Sequence, residues 1–226
     1  MRLALLAPLL ALTATACGAG RPAAHIDGCA IDGARTIRFP QPDSPRVRGA
    51  TLGDGRRGVV FANGSGQTVC GWLPFAERVA RAGFRVLVFD YGAGEAADGT
   101  AAAARELERR GARAVALVGA SYGARGVVVA GARVRAITTV VALSSVSYTG
   151  DVVAAARTLR IPVLQVAATD DAFAAADESE LIQRTLRTRT KKLVVVPGDD
   201  HGTDLLRRRR VAHLVLAWLR THTRAP

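Results

Sequence analysis

Residues 115–129 read VALVGASYGARGVVV, an apolar run interrupted at Gly119-Ala120-Ser121-Tyr122-Gly123 and then resumed. An apolar run that breaks on small residues and restarts at once predicts a strand, a sharp turn and a helix. A serine at the apex of such a turn has its hydroxyl lifted clear of the sheet. Glycine is needed on either side, because a Cβ would collide where the strand and helix backbones crowd together. The Gly-x-Ser-x-Gly pattern fixes few positions, and an ordinary strand-to-helix turn in a chain rich in Gly and Ala can also satisfy it. Its weight comes from what lies downstream. Asp170 and Asp171 close another apolar run and His201 follows a third, so serine, acid and histidine occur in one of the chain orders used by nucleophilic triads.

The 226 residues suit one domain behind a leader, with enough chain for a single large core. The formal charge is +12, from 31 Lys and Arg against 19 Asp and Glu. Arg is abundant where Lys is scarce, as genomic base bias would produce. The arginines are scattered over predicted helix faces and turns, and the run Arg207 to Arg210 falls inside an amphipathic helix. Nucleic-acid binding is therefore not expected, whereas loose attraction to anionic lipid or cell-wall polymer is compatible with the charge.

Residues 1–16, MRLALLAPLLALTATA, carry one Arg, a short apolar stretch and small residues up to Cys17. This is the layout of a secretory signal peptide rather than of a membrane span. Small residues before a cysteine, with Gly18 after it, resemble the lipobox of bacterial lipoproteins, in which that cysteine is lipidated and becomes the mature N-terminus. The resemblance implies export and a cell-surface lipid anchor on Cys17. Ala14 stands where the lipobox prefers Leu, and Ala14-Thr15-Ala16 also reads as an ordinary cleavage site that would release a soluble secreted protein. Three cysteines in an exported chain leave an odd thiol. Lipidation of Cys17 removes it and leaves Cys29 and Cys70 as a possible disulfide; otherwise Cys70 is a small buried hydrophobe and Cys29 a loop residue.

Residues 17–45, rich in Gly, Pro and Ala, read as a tether followed by an edge ribbon, with a short strand-like piece at 36–39. The domain proper is expected over 46–226. Apolar β-prone runs occur at 47–52, 57–62, 84–89, 114–118, 136–143, 163–167 and 193–196, with helix-length segments at 72–82, 96–110, 124–132, 151–159, 177–189 and 203–220. Alternation of this kind predicts an α/β fold, with a mostly parallel twisted sheet of about seven to eight strands and helices on both faces. Runs such as VLVF, VALV and LVVV are continuously apolar, as strands covered on both faces are. Ligands meet such a sheet at the carboxyl ends of its strands. Ser121, the Asp170-Asp171 pair, His201 and the loops 63–66 and 90–94 all fall there. The connection 144–150 is too short to hold a lid domain.

Serine needs a base to take its proton, and imidazole is suited to the task. His201 lies in Pro197-Gly198-Asp199-Asp200-His201-Gly202, a loop from which a side chain can swing over the sheet edge, although a histidine at a helix start is often no more than that. His25, His213 and His222 lie on the N-terminal arm and the terminal helix and receive no role. A carboxylate must orient the imidazole. Asp171 is preferred and Asp170 is the alternative, with Asp199 and Asp200 as loop formers in reserve. An acyl-transfer site also needs oxyanion donors. The backbone N–H of Tyr122 follows the nucleophile, and Asn63-Gly64-Ser65-Gly66 supplies a loop after an earlier strand, so the second donor is assigned to the N–H of Ser65. That loop could equally be a surface turn.

With these segments in view, residues 46–222 resemble the α/β-hydrolases, and in particular their small, capless, dienelactone-hydrolase-like and esterase-like bacterial members. The resemblance rests on Asn63-Gly64-Ser65-Gly66, commonly His-Gly-x-Gly; on Phe89-Asp90-Tyr91-Gly92-Ala93-Gly94-Glu95, a turn of D-x-R-G-x-G type; on Gly119-Ala120-Ser121-Tyr122-Gly123; and on His201-Gly202-Thr203-Asp204-Leu205-Leu206. Asn63 and Tyr91 depart from the usual His and Arg. A serine nucleophile departs from true dienelactone hydrolases, which use cysteine, and from dehalogenases and epoxide hydrolases, which use aspartate.

The resemblance implies a serine hydrolase that cleaves a small-molecule or lipid carboxylic ester through an acyl-enzyme, with no cofactor and no metal. An acyltransferase would use the same triad, and a non-catalytic binding or structural lipoprotein could retain the fold. Trp72, Tyr91, Tyr122, Tyr148 and Phe173 are aromatics that either line the site or belong to the core. Acyl length, alcohol group and oligomeric state are not encoded in any of these signals.

Overall fold

The computed structural model describes residues 23–42, 44–91, 94–147 and 150–224. The signal-like segment, Cys17 and Tyr148 lie outside them, and no helix of the described residues is long and apolar enough to cross a membrane. Each of the seven apolar β-prone runs becomes a strand, and three more strands precede them. In chain order these are β1 (Ala24–Ile26), β2 (Cys29–Ile31), β3 (Arg35–Gln41), β4 (Ser44–Leu52), β5 (Arg57–Ala62), β6 (Arg85–Phe89), β7 (Ala114–Ala120), β8 (Ile137–Leu143), β9 (Val163–Ala168) and β10 (Lys191–Val196). The helices are α1 (Leu73–Arg81), α2 (Ala96–Arg109), α3 (Tyr122–Gly131), α4 (Gly150–Thr158), α5 (Ala176–Thr185) and α6 (Arg209–His222).

Eight strands form one sheet in the order β10-β9-β8-β7-β5-β6-β4-β3, while β1 and β2 make a separate antiparallel hairpin. From β6 to β10 all neighbours are parallel, and β3, β4 and β6 pair antiparallel at the other edge. Alternation along the strands divides the core. On β5, Val60 and Ala62 face the layer that contains Leu107 of α2, Val127 of α3, Val152 of α4 and Ile182 of α5. Val59 and Phe61 face the layer of Phe75 and Val79 of α1 and Val215 and Leu219 of α6. The sheet is thus covered on both faces, and at β7 every residue is buried.

Three details differ from the sequence reading, each for a tertiary reason. The strand-like piece 36–39 of the edge ribbon is longer than its sequence suggests: it forms β3, Arg35–Gln41, hydrogen-bonded to β4 as the outermost strand of the main sheet. Its alternation, with Ile37, Phe39 and Gln41 buried, is a half-buried edge pattern diluted by Arg and Pro. The β1–β2 hairpin sends Ile26 and Ile31 into the α1–α6 layer. The apolar end of β10 is half-exposed, with Val195 at 38%, because among the described residues β10 is an edge strand paired with β9 alone. Finally, 203–220 is not one helix. A 3₁₀ turn over Gly202–Arg207 ends at Arg208, whose extended backbone (φ −72°, ψ 112°) precedes α6.

Candidate active site

The turn after β7 holds Ser121 at φ 53° and ψ −117°, a region that costs a non-glycine residue of order 1–3 kcal/mol. The surroundings hold it there: Ser121 N–H donates to Leu143 O at 2.9 Å, and Ala124 N–H donates to Ser121 O at 2.8 Å. The flanking glycines are required by space. A Cβ on Gly119 would stand 2.2 Å from Gly123 O, and one on Gly123 would stand 2.2 Å from Ala62 O. The turn is therefore clamped between β5, β8 and α3. Tyr122 begins α3, and N–H groups in a first helical turn have no intrahelical acceptor.

Asp171 follows β9 and is 4% exposed. Both of its carboxylate oxygens lie 2.9 Å from His201 Nδ1. Oδ1 also accepts from the N–H of Phe173 at 3.0 Å and of Ala174 at 3.1 Å, so the turn fixes the carboxylate. Burial alone would raise its pKa, but hydrogen bonds from His201, Ser144 and the Phe173 N–H outweigh burial and hold it below the ordinary carboxylate value. Asp170, by contrast, is exposed and accepts from the Thr169 hydroxyl at 2.9 Å. Asp200 is paired with Arg208, and Asp199 is exposed. Of the four acids singled out, the structure brings Asp171 to the imidazole.

The histidine loop is tied to the end of β9. Thr169 N–H donates to Val196 O and Asp170 N–H to Gly198 O, both at 2.9 Å, which prolongs the strand pairing beyond the sheet. Gly202 N–H then donates to Ser144 Oγ at 2.9 Å. A Cβ on Gly202 would lie 3.3 Å from Ala120 Cβ, and one on Gly64 would lie 3.3 Å from Ser121 Cβ. Ser121 therefore stands between the histidine loop and the loop after β5. That loop contains Ser65, which is exposed, on a turn closed by Gln67 N–H donating to Gly64 O at 3.2 Å.

Asn63 and Tyr91 bind each other's segments. Asn63 Nδ2 donates to Phe89 O at 3.2 Å, and Tyr91 Oη donates to Asn63 O at 3.3 Å. Burial pushes the Tyr91 phenol far above its ordinary pKa, so it remains a donor. A cleft of about 360 Å³ opens between the loop after β5 and the start of α3, bounded among others by Asp27, Asn63, Ser65, Gln67, Asp90 and Tyr122. Tyr122 donates to Glu95 at 2.7 Å, and Arg125 joins Glu95 to Asp151. Grooves of about 380 and 450 Å³ run along α1 and α6 on the Arg78 side; size alone does not select the cleft beside Tyr122.

The aromatics separate cleanly. Trp72 is fully buried with its ring 4.9 Å from Phe61, so it is core. Tyr91 is buried, Tyr122 borders the cleft, and Phe173 is 77% exposed with its ring 5.2 Å from that of His201. His25 and His213 are exposed, and His222 packs on Trp218 at 4.2 Å. Cys29 and Cys70 are joined, with Cα atoms 5.6 Å apart. Among the described residues no cluster of His, Cys, Asp and Glu could hold a metal ion. Ser144 was not singled out from the sequence; the available signal was a hydroxyl at the carboxyl end of a parallel strand, a property it shares with Ser145.

No family model and no curated protein matches the sequence. Solved structures do resemble the fold. The esterase Pf2001 of Pyrococcus furiosus superposes with a TM-score of 0.74 at 14% identity, covering 84% of this chain and 93% of that one. The esterase domain of a Rhodothermus marinus protein gives 0.71 at 17% identity over 85% and 100% of the two chains. A cold-adapted esterase from an Arctic intertidal metagenomic library gives 0.70 at 17% identity over 84% and 94%. With the sheet order and connections described above, this likeness establishes an α/β-hydrolase fold.

Proposed function

We propose that the protein is a serine hydrolase that cleaves carboxylic esters through an acyl-enzyme. The observation that carries the reading is the buried Asp171 carboxylate on His201 Nδ1, on a loop packed against the turn that displays Ser121. In this reading Asp171 fixes the tautomer that leaves Nε2 free to accept the Ser121 proton. Ser121 Oγ attacks the ester carbonyl, and the developing oxyanion is met by the N–H groups of Tyr122 and Ser65. Imidazolium then returns the proton to the departing alcohol. Water, activated by the same imidazole, attacks the acyl-enzyme and restores Ser121. Asp171 stays ionised throughout, consistent with its lowered pKa. The esterases that share the fold support the ester class. Phe173 beside His201 offers an apolar contact for one side of the substrate, and the polar cleft beside Tyr122 receives the other.

The protein acts outside the cytoplasm as a lipoprotein attached through Cys17; the signal-like residues 1–16 and the cysteine count support this. The activity is tested with a fluorophosphonate probe and p-nitrophenyl esters on wild type and Ser121→Ala. Wild type is expected to label at Ser121 and turn over ester. Ser121→Ala, folded by circular dichroism, is expected to do neither, with a loss of several orders of magnitude in kcat. An active, well-folded Ser121→Ala protein overturns the mechanism.

A further inference from the structure

Ser144 lies just beyond β8, fully buried, with φ 52°. A glycine would adopt that backbone without strain, yet the chain carries a side chain there. Its amide donates to Val166 O at 2.9 Å, which binds the residue to the end of β9. Its hydroxyl oxygen accepts the Gly202 N–H at 2.9 Å. A hydroxyl that accepts in a buried place still has a proton to give. The hydrogen bond from Ser144 is among those that hold the Asp171 pKa down against burial. The neighbouring Ser145 makes a useful contrast, because its hydroxyl is buried without a partner.

We propose that Ser144 is a positioning residue of the acid–imidazole pair: one hydroxyl from β8 links the loop that carries Asp171 to the amide that follows His201. This rests on the reading of Asp171 and His201 as acid and base. The carboxylate has three donors at hydrogen-bond distance, His201 Nδ1 and the N–H groups of Phe173 and Ala174, and in this proposal the Ser144 hydroxyl is the fourth. Three come from the acid's own turn or from the histidine. Ser144 alone ties the pair to a third strand. It sets how far the two loops stand apart, and it supplies a donor that keeps Asp171 ionised while the imidazole cycles.

The titratable groups around the pair are Asp170 on the β9 side and Asp199, Asp200 with Arg208, and Asp204 with Arg207 on the histidine loop and its 3₁₀ turn. The turn after β7, the end of β8 and the loop after β5 contribute the neutral Ser121, Ser144 and Gln67. A change at Ser144 therefore acts on Asp171 without removing any other charge.

The test compares Ser144→Ala, which keeps the Cβ and the strained backbone, with Ser144→Gly, which relieves it; both lack the hydroxyl. Carbon-13 carboxyl NMR follows the Asp171 titration, far-downfield proton NMR follows the His201 Nδ1–H signal, and p-nitrophenyl acetate gives kcat and KM. Both variants are expected to raise the Asp171 midpoint and to weaken or shift the downfield signal. Both should lower kcat about tenfold, with KM changed by less than about twofold. An unmoved Asp171 midpoint in both variants overturns the proposal. So does a defect in Ser144→Ala that Ser144→Gly lacks, because the backbone would then be the cause. The NMR readouts need no substrate. Wild type without ester turnover, but with the midpoint rising in both variants, sinks the esterase reading and leaves the hydrogen-bond role standing.

Discussion

Asp170 and Asp171 are adjacent and identical in chemistry, and both follow a strand, yet their surroundings differ. Asp171 is buried and donated to by His201 and two backbone amides, whereas Asp170 is exposed and bonded to a threonine hydroxyl. Asp171→Asn should lower kcat by about 10³ to 10⁴, the effect of losing the correct imidazole tautomer. Asp170→Asn should cost far less, its main effect falling on the turn. Steady-state kinetics of the two purified variants check the ranking, and the opposite order would move the acid role to Asp170. The lowered Asp171 pKa also carries a sign. A carboxyl whose folded pKa is depressed adds stability above its unfolded pKa and loses it as pH falls through the folded value. Wild type should therefore lose stability faster than Asp171→Asn as pH drops through the acid range, which denaturant titrations at successive pH values will show.

At the scale of elements, the site depends on how closely β5, β7 and α3 approach one another. The carbonyls of Ala62 and Asn63 stand 2.2 and 2.4 Å from where a Cβ on Gly123 would be. No flexible side chain can give way there, because both atoms are backbone. Gly123→Ala must push α3 away from the loop that carries Ser65 and so disturb the elbow and the proposed oxyanion donor together. The expected result is a lower melting temperature and slower probe labelling at Ser121. A variant with wild-type melting and labelling would show that the loop after β5 does not need its present place. The mutual hydrogen bonds of Asn63 and Tyr91 with each other's segments hold the loop after β5 against the end of β6.

Across the whole molecule, the N-terminal arm is held in two ways. β3 closes the antiparallel edge of the sheet, and the Cys29–Cys70 bond spans 41 residues to fasten the hairpin beside α1. In the chain-entropy model a loop of that length corresponds to about 4 kcal/mol. The described chain therefore starts from a firmly fixed point. Cys17→Ser should shift the protein from detergent-extracted membranes to the medium or stall its processing. Intact mass measurement of the mature wild-type protein without lipid on Cys17 would instead establish plain secretion.

The sequence by itself determined what depends on near neighbours. Apolar runs named the strands of the parallel half, alternation with helical segments implied a helix-covered sheet, and the spacing of Gly119, Ser121 and Gly123 announced the elbow, because steric crowding in a tight turn is a local matter. Edge strand β3 was legible only as a fragment, since its alternation is interrupted by Arg and Pro and its burial comes from β4. The tertiary structure alone decided which aspartate meets His201, that Trp72 is core while Phe173 is exposed beside the imidazole, and that Ser144 rather than Ser145 reaches the histidine loop. Each of these depends on how loops from β5, β7, β8, β9 and β10 converge at one sheet edge. That convergence is set by strand order and register, which no stretch of sequence contains.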